Sequence, residues 1–171
     1  FSALNLSMVA AVDLVRPFLS PEEHRTLVEA ALGYFAAERD LRSYQLPQGW
    51  IHSAAHTADL LKFLARNKNF AVADQSRVLD AIAAKQSATR GMVFTFGEDE
   101  RFASTVLSIV RRSDFAPAAF ESFVKKLIAV AGAEVGTTLD LNEFAAAQNA
   151  KSLLRSLYAA LTLPEAPQPN E

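Results

Sequence analysis

The amino-acid sequence predicts an all-α protein, and three observations support this fold class. Apolar residues recur at spacings of three and four, which is the period of a helix rather than the alternation of a strand. Alanine and leucine are frequent, whereas glycine and proline number only 6 and 7. Sequence signals for helix starts separate the apolar segments. We therefore predict helices over residues 3–18, 21–39, 50–67, 73–89, 98–112, 116–134 and 141–162.

Residues at several helix starts justify these bounds. Residues 20–23 place a serine before a proline and a glutamate three positions after the serine, which predicts a capping box. Asp140 with Glu143 repeats this pattern, and Pro117 suits the first turn of a helix. One segment departs from the helical period, because residues 92–96 are β-prone and lie between two glycines. We predict an extended linker there, packed on the core.

The short connections predict antiparallel neighbouring helices, stacked in pairs as an α-solenoid of the HEAT or armadillo type. Pairs recur every 40 to 50 residues, roughly, although no sequence motif repeats with them. A closed helical bundle is the alternative. We expect one domain over residues 1–163 and a disordered tail over 164–171. Because the chain opens with Phe1 in an apolar segment, we expect it to be the C-terminal part of a longer protein.

Charge and composition narrow the class of partner. The 17 basic and 19 acidic residues nearly balance, so we expect no nucleic acid and no membrane surface as partner. The chain has no cysteine, which excludes disulfides and thiolate metal sites. Apolar runs are too short to cross a bilayer. We expect a soluble protein, either cytoplasmic or exported with its signal removed, and the oligomeric state stays open.

One polar segment is the candidate site. On a helix beginning at residue 50, the side chains of His52, His56 and Asp59 fall within about 60° of each other. Imidazoles four residues apart can share a divalent metal such as zinc, manganese or iron, with Asp59 as ligand or orienting group. Position 53 is serine, where helical zinc proteases carry their glutamate base. Three residues are candidates for a further ligand: Glu38, Asp40 and Asp99.

A structural interpretation competes with the metal site. The two histidines could instead hydrogen-bond to carboxylates and hold the preceding loop in place. We predict that Trp50 is a core anchor, because large aromatic residues at helix starts usually pack. We predict that His24, in the first turn of a helix beside two glutamates, is solvated. If the segment instead binds a ligand, the charged residues of the preceding loop belong to the site. The candidate ligand-binding residues are His52, His56, Asp59, Glu38, Asp40, Arg42, Trp50 and Asp99.

Three segments carry a resemblance to a known family. They are residues 38–42, residues 49–52 with His56 and Asp59, and residues 98–101. Together they resemble a bacterial domain-of-unknown-function family, number 2785, from Phe1 to about Tyr158. The resemblance implies an α-helical repeat protein with further helices before Phe1, and it implies no activity. The sequence departs from the family at Ser43, where glycine is more frequent, which bears on the turn geometry of this loop.

Three functional hypotheses follow. The first is a helical-repeat binding module whose polar patch around His52, His56 and Asp59 engages a peptide or a small polar ligand. The second is a metal-dependent hydrolase that uses the two histidines as ligands. The third gives the cluster a purely structural role.

Overall fold

The computed structural model describes residues 2–132 and 138–163, and within them the protein is all-α, as predicted. The helices are α1 (Ser2–Val15), α2 (Pro21–Ala37), α3 (Ser53–Arg66), α4 (Val72–Ser87), α5 (Glu98–Val110), α6 (Pro117–Ala131) and α7 (Leu141–Thr162). Two short antiparallel strands, β1 (Tyr44–Gln45) and β2 (Gly49–Trp50), form a hairpin between α2 and α3. The tail predicted over 164–171 lies outside the described residues.

The helices pack in two layers. In one layer α1, α3, α5 and α7 lie side by side, and in the other α4 lies between α2 and α6. The layers contact each other through α2 with α3, α4 with α5 and α7, and α6 with α7. The helices of these described ranges include none with the length and hydrophobicity that a membrane span needs. Stacked repeats and a closed bundle are both compatible with two layers, so the α-solenoid stays a prediction.

Aromatic residues join the linker before α5 to the core. Phe94 is buried and packs against Phe102, with ring centroids 5.7 Å apart, and Phe102 packs against Phe35 of α2 at 6.0 Å. The Phe94 N–H donates to Asn149 Oδ1 at 2.8 Å, and Asn149 Nδ2 donates to the Met92 carbonyl at 3.1 Å. The predicted extended linker is therefore confirmed. The Asn149 side chain of α7 therefore provides hydrogen-bond partners for backbone groups of a segment that forms no helix or strand.

The predicted capping box at the start of α2 is confirmed. Ser20 Oγ accepts from the Glu23 N–H at 3.2 Å, and Glu23 Oε2 accepts from the Ser20 N–H at 2.8 Å. Asp140 also caps α7, accepting from the N–H groups of Asn142 and Glu143. The Ser20 and Asp140 side chains thus accept from helix N–H groups that have no intrahelical partner. They fix where the two helices begin.

His24 is not solvated, contrary to the prediction. Its side chain is 1% exposed, and Nε2 lies 3.2 Å from the carbonyl of Leu64 in α3. The ring also meets Phe70 edge-on at 6.4 Å. Position 24 precedes Val28 by four residues and Ala31 by seven, and both are buried, so His24 lies on the inward stripe of α2. The neighbouring glutamates of the first turn led to the wrong prediction.

Burial of His24 predicts a loss of stability in acid. Burial lowers the pKa of His24, and this effect outweighs the hydrogen bond to Leu64 and the charges of Asp13 and Asp74, which raise it. Because the unfolded chain then binds a proton more readily, the free energy of unfolding falls as the pH drops below about 6.5. We expect His24→Gln to reduce this fall, measured by urea denaturation between about pH 7.5 and about pH 5. An unchanged pH dependence would contradict the assignment. The pKa of His56 is also lowered, so part of the fall remains in the variant.

Candidate functional site

The third helix begins later than predicted. It starts at Ser53, because Tyr44 pairs with Trp50 and Gln45 with Gly49 in the hairpin. The pairing continues past the strands, since the Ile51 N–H donates to the Ser43 carbonyl at 2.8 Å and the His52 N–H donates to the Arg42 carbonyl at 3.0 Å. His52 has a φ of 50°, in the left-handed region. A residue with this backbone cannot continue a helix, so the prediction of helix over residues 50–52 is wrong.

The two histidines are nevertheless neighbours. His52 lies at the N-cap of α3 and His56 one turn into the helix, so the predicted stripe of three residues on one helical face does not form. The ring centroids of His52 and His56 are 5.7 Å apart with the planes at 69°. Burial lowers the pKa of His56, and the adjacent His52 lowers it further. A lowered pKa favours the neutral imidazole of His56 near pH 7.

A buried carboxylate, Glu98, holds the loop that carries His52. It is 1% exposed and accepts hydrogen bonds from Ser43 Oγ and, at 2.9 Å, from the Phe96 N–H. His52 Nε2 lies 3.2 Å from Glu98 Oε1, within ion-pair distance but without the alignment of a hydrogen bond. Burial raises the pKa of Glu98, but these contacts outweigh it and lower the pKa to about 2. Glu98 is therefore ionised and ties the hairpin to the N-terminus of α5.

Asp99, predicted as a site residue, faces elsewhere. Asp99 Oδ2 accepts from Ser156 Oγ of α7 at 2.6 Å. Successive residues of a helix point about 100° apart, so at the start of α5 Glu98 turns toward the hairpin and Asp99 toward α7. The sequence predicted a site residue at the start of α5, but it did not show that Glu98 rather than Asp99 faces the hairpin.

The Asp59 carboxylate accepts hydrogen bonds from two cationic side chains. Its Oδ1 accepts from Lys62 Nζ at 2.9 Å, and its Oδ2 accepts from Arg101 Nη1. Asp59 is buried, whereas the Arg101 side chain is half exposed. This pair joins α3 to α5 beside the histidines. It also leaves Arg101 at the surface next to them.

The charged residues before the hairpin form contacts of their own. Glu38 accepts from the Tyr34 hydroxyl at 2.6 Å and from the Asp40 N–H at 2.7 Å. Burial and this hydrogen bond to Glu38 raise the pKa of Tyr34 to about 12. Asp40 and Arg42 form a bidentate pair at the surface, with Arg42 Nε 2.7 Å from Asp40 Oδ1. Exposed pairs of this kind contribute about 1 kcal/mol or less. These side-chain contacts do not involve His52, which is joined to this segment through its N–H and the Arg42 carbonyl.

Three exposed aromatic side chains lie together at the hairpin, and we call them the aromatic surface. They are Tyr44 and Trp50 of the two strands and Phe96 of the linker before α5. They are 41%, 48% and 47% exposed, respectively. The Trp50 ring lies 5.2 Å from Tyr44 and 5.7 Å from Phe96 between centroids, and 5.0 Å from His52 beneath it. Trp50 is therefore not the predicted core anchor. Tyr44 and Phe96 were not predicted as site residues, although aromatic residues on both sides of a Pro-Gln-Gly turn were a usable signal.

The geometry gives the metal site no support. Within residues 2–132 and 138–163, no three His, Asp or Glu side chains are placed to hold one metal ion. The oxygens of Asp59 already accept from two cations, and those of Glu98 accept from the hairpin and the linker. The role of His52, His56 and Asp59 as metal ligands stays a prediction from spacing alone.

The fold and the site define a class: an all-α domain in which a β-hairpin and the linker before α5 carry an exposed aromatic surface beside a buried, ionised glutamate. A family model described as a protein of unknown function, DUF2785, matches residues 1–159 of the 171. The chain therefore belongs to this family, and the predicted resemblance is confirmed. Searches of curated proteins and of solved structures gave no match.

Proposed function

We propose that this domain is a binding module that holds a peptide on the aromatic surface. One observation carries the proposal: Tyr44, Trp50 and Phe96 are each nearly half exposed while they contact one another. Exposed apolar patches on a folded domain mark interaction sites. Tryptophan, tyrosine and arginine are also the residues that contribute most to binding at protein interfaces. Arg101 is half exposed and close enough to His56 to lower its pKa, and we assign it to the polar edge of this surface.

Rigidity of the hairpin supports binding. The hydrogen bonds from Ser43 and Phe96 to Glu98 fix both segments that carry the rings. His52, in contact with Trp50 and Glu98, supports the indole from below. A surface already ordered before binding loses less conformational entropy when a ligand arrives. The buried network is therefore the support, and the aromatic surface is the part that contacts the ligand.

A peptide fits this surface better than a small polar ligand does. Aromatic side chains offer large apolar areas, which suit the side chains of an extended segment. The Arg101 guanidinium has donors beyond the one it gives Asp59, and these suit a peptide carbonyl or carboxylate. Of the residues predicted to bind a ligand, the proposal keeps Trp50, His52 and His56. It assigns Asp59 to positioning Arg101.

Selection from a displayed library of random peptides tests the proposal. We expect peptides that bind the protein to bind Trp50→Ala at least about tenfold more weakly, because truncating a central interface aromatic costs about 2 kcal/mol. Tyr158→Ala is the control, since Tyr158 is 72% exposed on α7 and is not one of the rings that contact Trp50 among the described residues. Calorimetric titration measures all three affinities, and the fluorescence of Trp50, the only tryptophan, also reports binding by the unchanged protein and by Tyr158→Ala. Selected peptides that bind Trp50→Ala as tightly as the unchanged protein would refute the proposal.

The hydrolase hypothesis predicts a different result. Protein purified without chelator would hold about one equivalent of zinc, manganese or iron, and the double variant His52→Ala, His56→Ala would lose it. The peptide-binding proposal expects no such metal. In that case the same double variant weakens peptide binding only because it removes the support beneath Trp50. Elemental analysis of both proteins distinguishes the two hypotheses.

A further inference from the structure

A second candidate site lies at the other ends of α3 and α5, where both helices terminate. A cavity of about 570 Å³ opens there between the two helix ends. Its lining residues are Arg66, Lys68, Ser108, Arg111, Arg112 and Ser113. Among the described residues that line this cavity there is no aspartate or glutamate. The cavity therefore combines four cationic side chains with two hydroxyl groups.

Arg112 has a structural role in this arrangement. Its Nη1 donates to the carbonyls of Ala65 at 2.6 Å and Asn67 at 2.9 Å, and its Nη2 donates to the Phe70 carbonyl at 3.1 Å. Nε and Nη2 also bind the carboxylate of Asp114. All five donors of a guanidinium are thereby used. The position of Arg112 at the end of α3 follows from this capping.

Arg66 and Lys68 are not explained in the same way. Cations near a helix C-terminus ordinarily stabilise it by facing its last carbonyls. Arg66 instead donates through Nε to Ser108 Oγ at 2.9 Å, across the gap from α3 to α5. Within the described ranges, neither the Nη groups of Arg66 nor Lys68 Nζ has a hydrogen-bond or ion-pair partner. The Ser108 contact holds the Arg66 guanidinium over the cavity with donors to spare.

We propose that this cavity binds a phosphate group through Arg66, Lys68 and the Ser113 hydroxyl. The Ser108 hydroxyl donates to the Ser104 carbonyl at 2.9 Å and accepts from Arg66, so it positions the guanidinium. A guanidinium matches the geometry of phosphate oxygens with two parallel donors, and a lysine adds a compact point charge. Among the described residues the lining contains several cations and no acid, and such a lining suits a doubly charged phosphate better than a single carboxylate. The site is independent of the aromatic surface, which lies at the opposite end of α3.

Titration with inorganic phosphate and with phenyl phosphate tests this site, at an ionic strength held constant with sodium chloride. We expect saturable shifts of the Ser108 and Ser113 amide resonances, and binding at least about tenfold weaker in Arg66→Gln, Lys68→Gln. Lys125→Gln, Arg155→Gln is the control, because it removes two positive charges from α6 and α7 outside the cavity lining. Its affinity should stay within about twofold of the unchanged protein.

The two probes identify the source of the phosphate. Equal affinity indicates free phosphate as the ligand, whereas tighter binding of phenyl phosphate indicates a phosphate carried on an apolar group. Shifts that never saturate, or an equal loss of affinity in both double variants, would overturn the proposal. Both double variants replace exposed side chains, and thermal unfolding verifies that each remains folded.

Discussion

We expect Glu98→Gln to lower the free energy of unfolding at neutral pH by about 3 kcal/mol. The substitution keeps the shape of the side chain but removes the charge that faces His52 and accepts from Ser43 and the Phe96 N–H. One oxygen becomes an NH₂ group, which is a donor where the surrounding groups are donors too. Buried donors without acceptors cost about 1 to 3 kcal/mol each. Urea denaturation monitored by circular dichroism measures the difference.

The same residue predicts how stability changes in acid. The pKa of Glu98 is about 2 in the folded protein against an ordinary value of 4.5. Its contribution is therefore fully present above about pH 4.5 and is lost as the pH falls toward 2. We expect the unchanged protein to lose stability across this interval more steeply than Glu98→Gln does.

Glu100→Gln is the matched control for both measurements. Glu100 lies in the same helical turn as Glu98 but is exposed. Removing its charge should change the free energy of unfolding by less than about 0.5 kcal/mol. Equal effects of the two substitutions would show that Glu98 acts only through the charge of the helix terminus.

The second large effect is expected for Arg112→Lys, with a loss of about 3 kcal/mol in the free energy of unfolding. Lysine keeps the positive charge but replaces five donors in a planar arrangement with three on one nitrogen. It cannot reach the carbonyls of Ala65, Asn67 and Phe70 together with the Asp114 carboxylate. The carbonyls of Ala65 and Phe70 would then lose these donors, whereas the Asn67 carbonyl keeps the Phe70 N–H. The unfolding midpoint in urea measures the loss.

Arg155→Lys provides the control for this substitution. Arg155 is an exposed residue of α7, so the same chemical change there should be nearly neutral. Arg112→Lys as stable as Arg155→Lys would mean that water satisfies the α3 carbonyls and that the guanidinium is dispensable.

The helices could be predicted from the sequence because their signals are local. The period of apolar residues and the capping box at Ser20 depend on residues within one or two turns of each other. His24 shows the limit of this reasoning. Its neighbours in the first turn of α2 are acidic and exposed, but its own environment comes from α3, which is distant in sequence. Only the packing of helices determines that.

The candidate site was predicted in part, for a physical reason. Residues 53–66 carry a helical pattern, and residues 50–52 contain no glycine or proline that would have marked an end of the helix. The hairpin prevails because strand pairing and the Glu98 contacts stabilise residues 43–52 in another conformation. Glu98 is 55 residues from Ser43 in sequence, so no spacing rule identifies the pair. His52 and His56 were expected to be close together, and their rings are neighbours. Tyr44 and Phe96 were not among the predicted residues.

A proton NMR titration of the ring resonances of Trp50 tests the central claim most directly. We predict nuclear Overhauser contacts from the Trp50 indole to the rings of Tyr44 and Phe96 in the free protein. We also predict that a peptide selected for binding shifts the Trp50 indole resonances and leaves those of Tyr158 unchanged. Missing ring contacts in the free protein, or peptide-induced shifts confined to residues away from Trp50, would contradict the proposed binding surface.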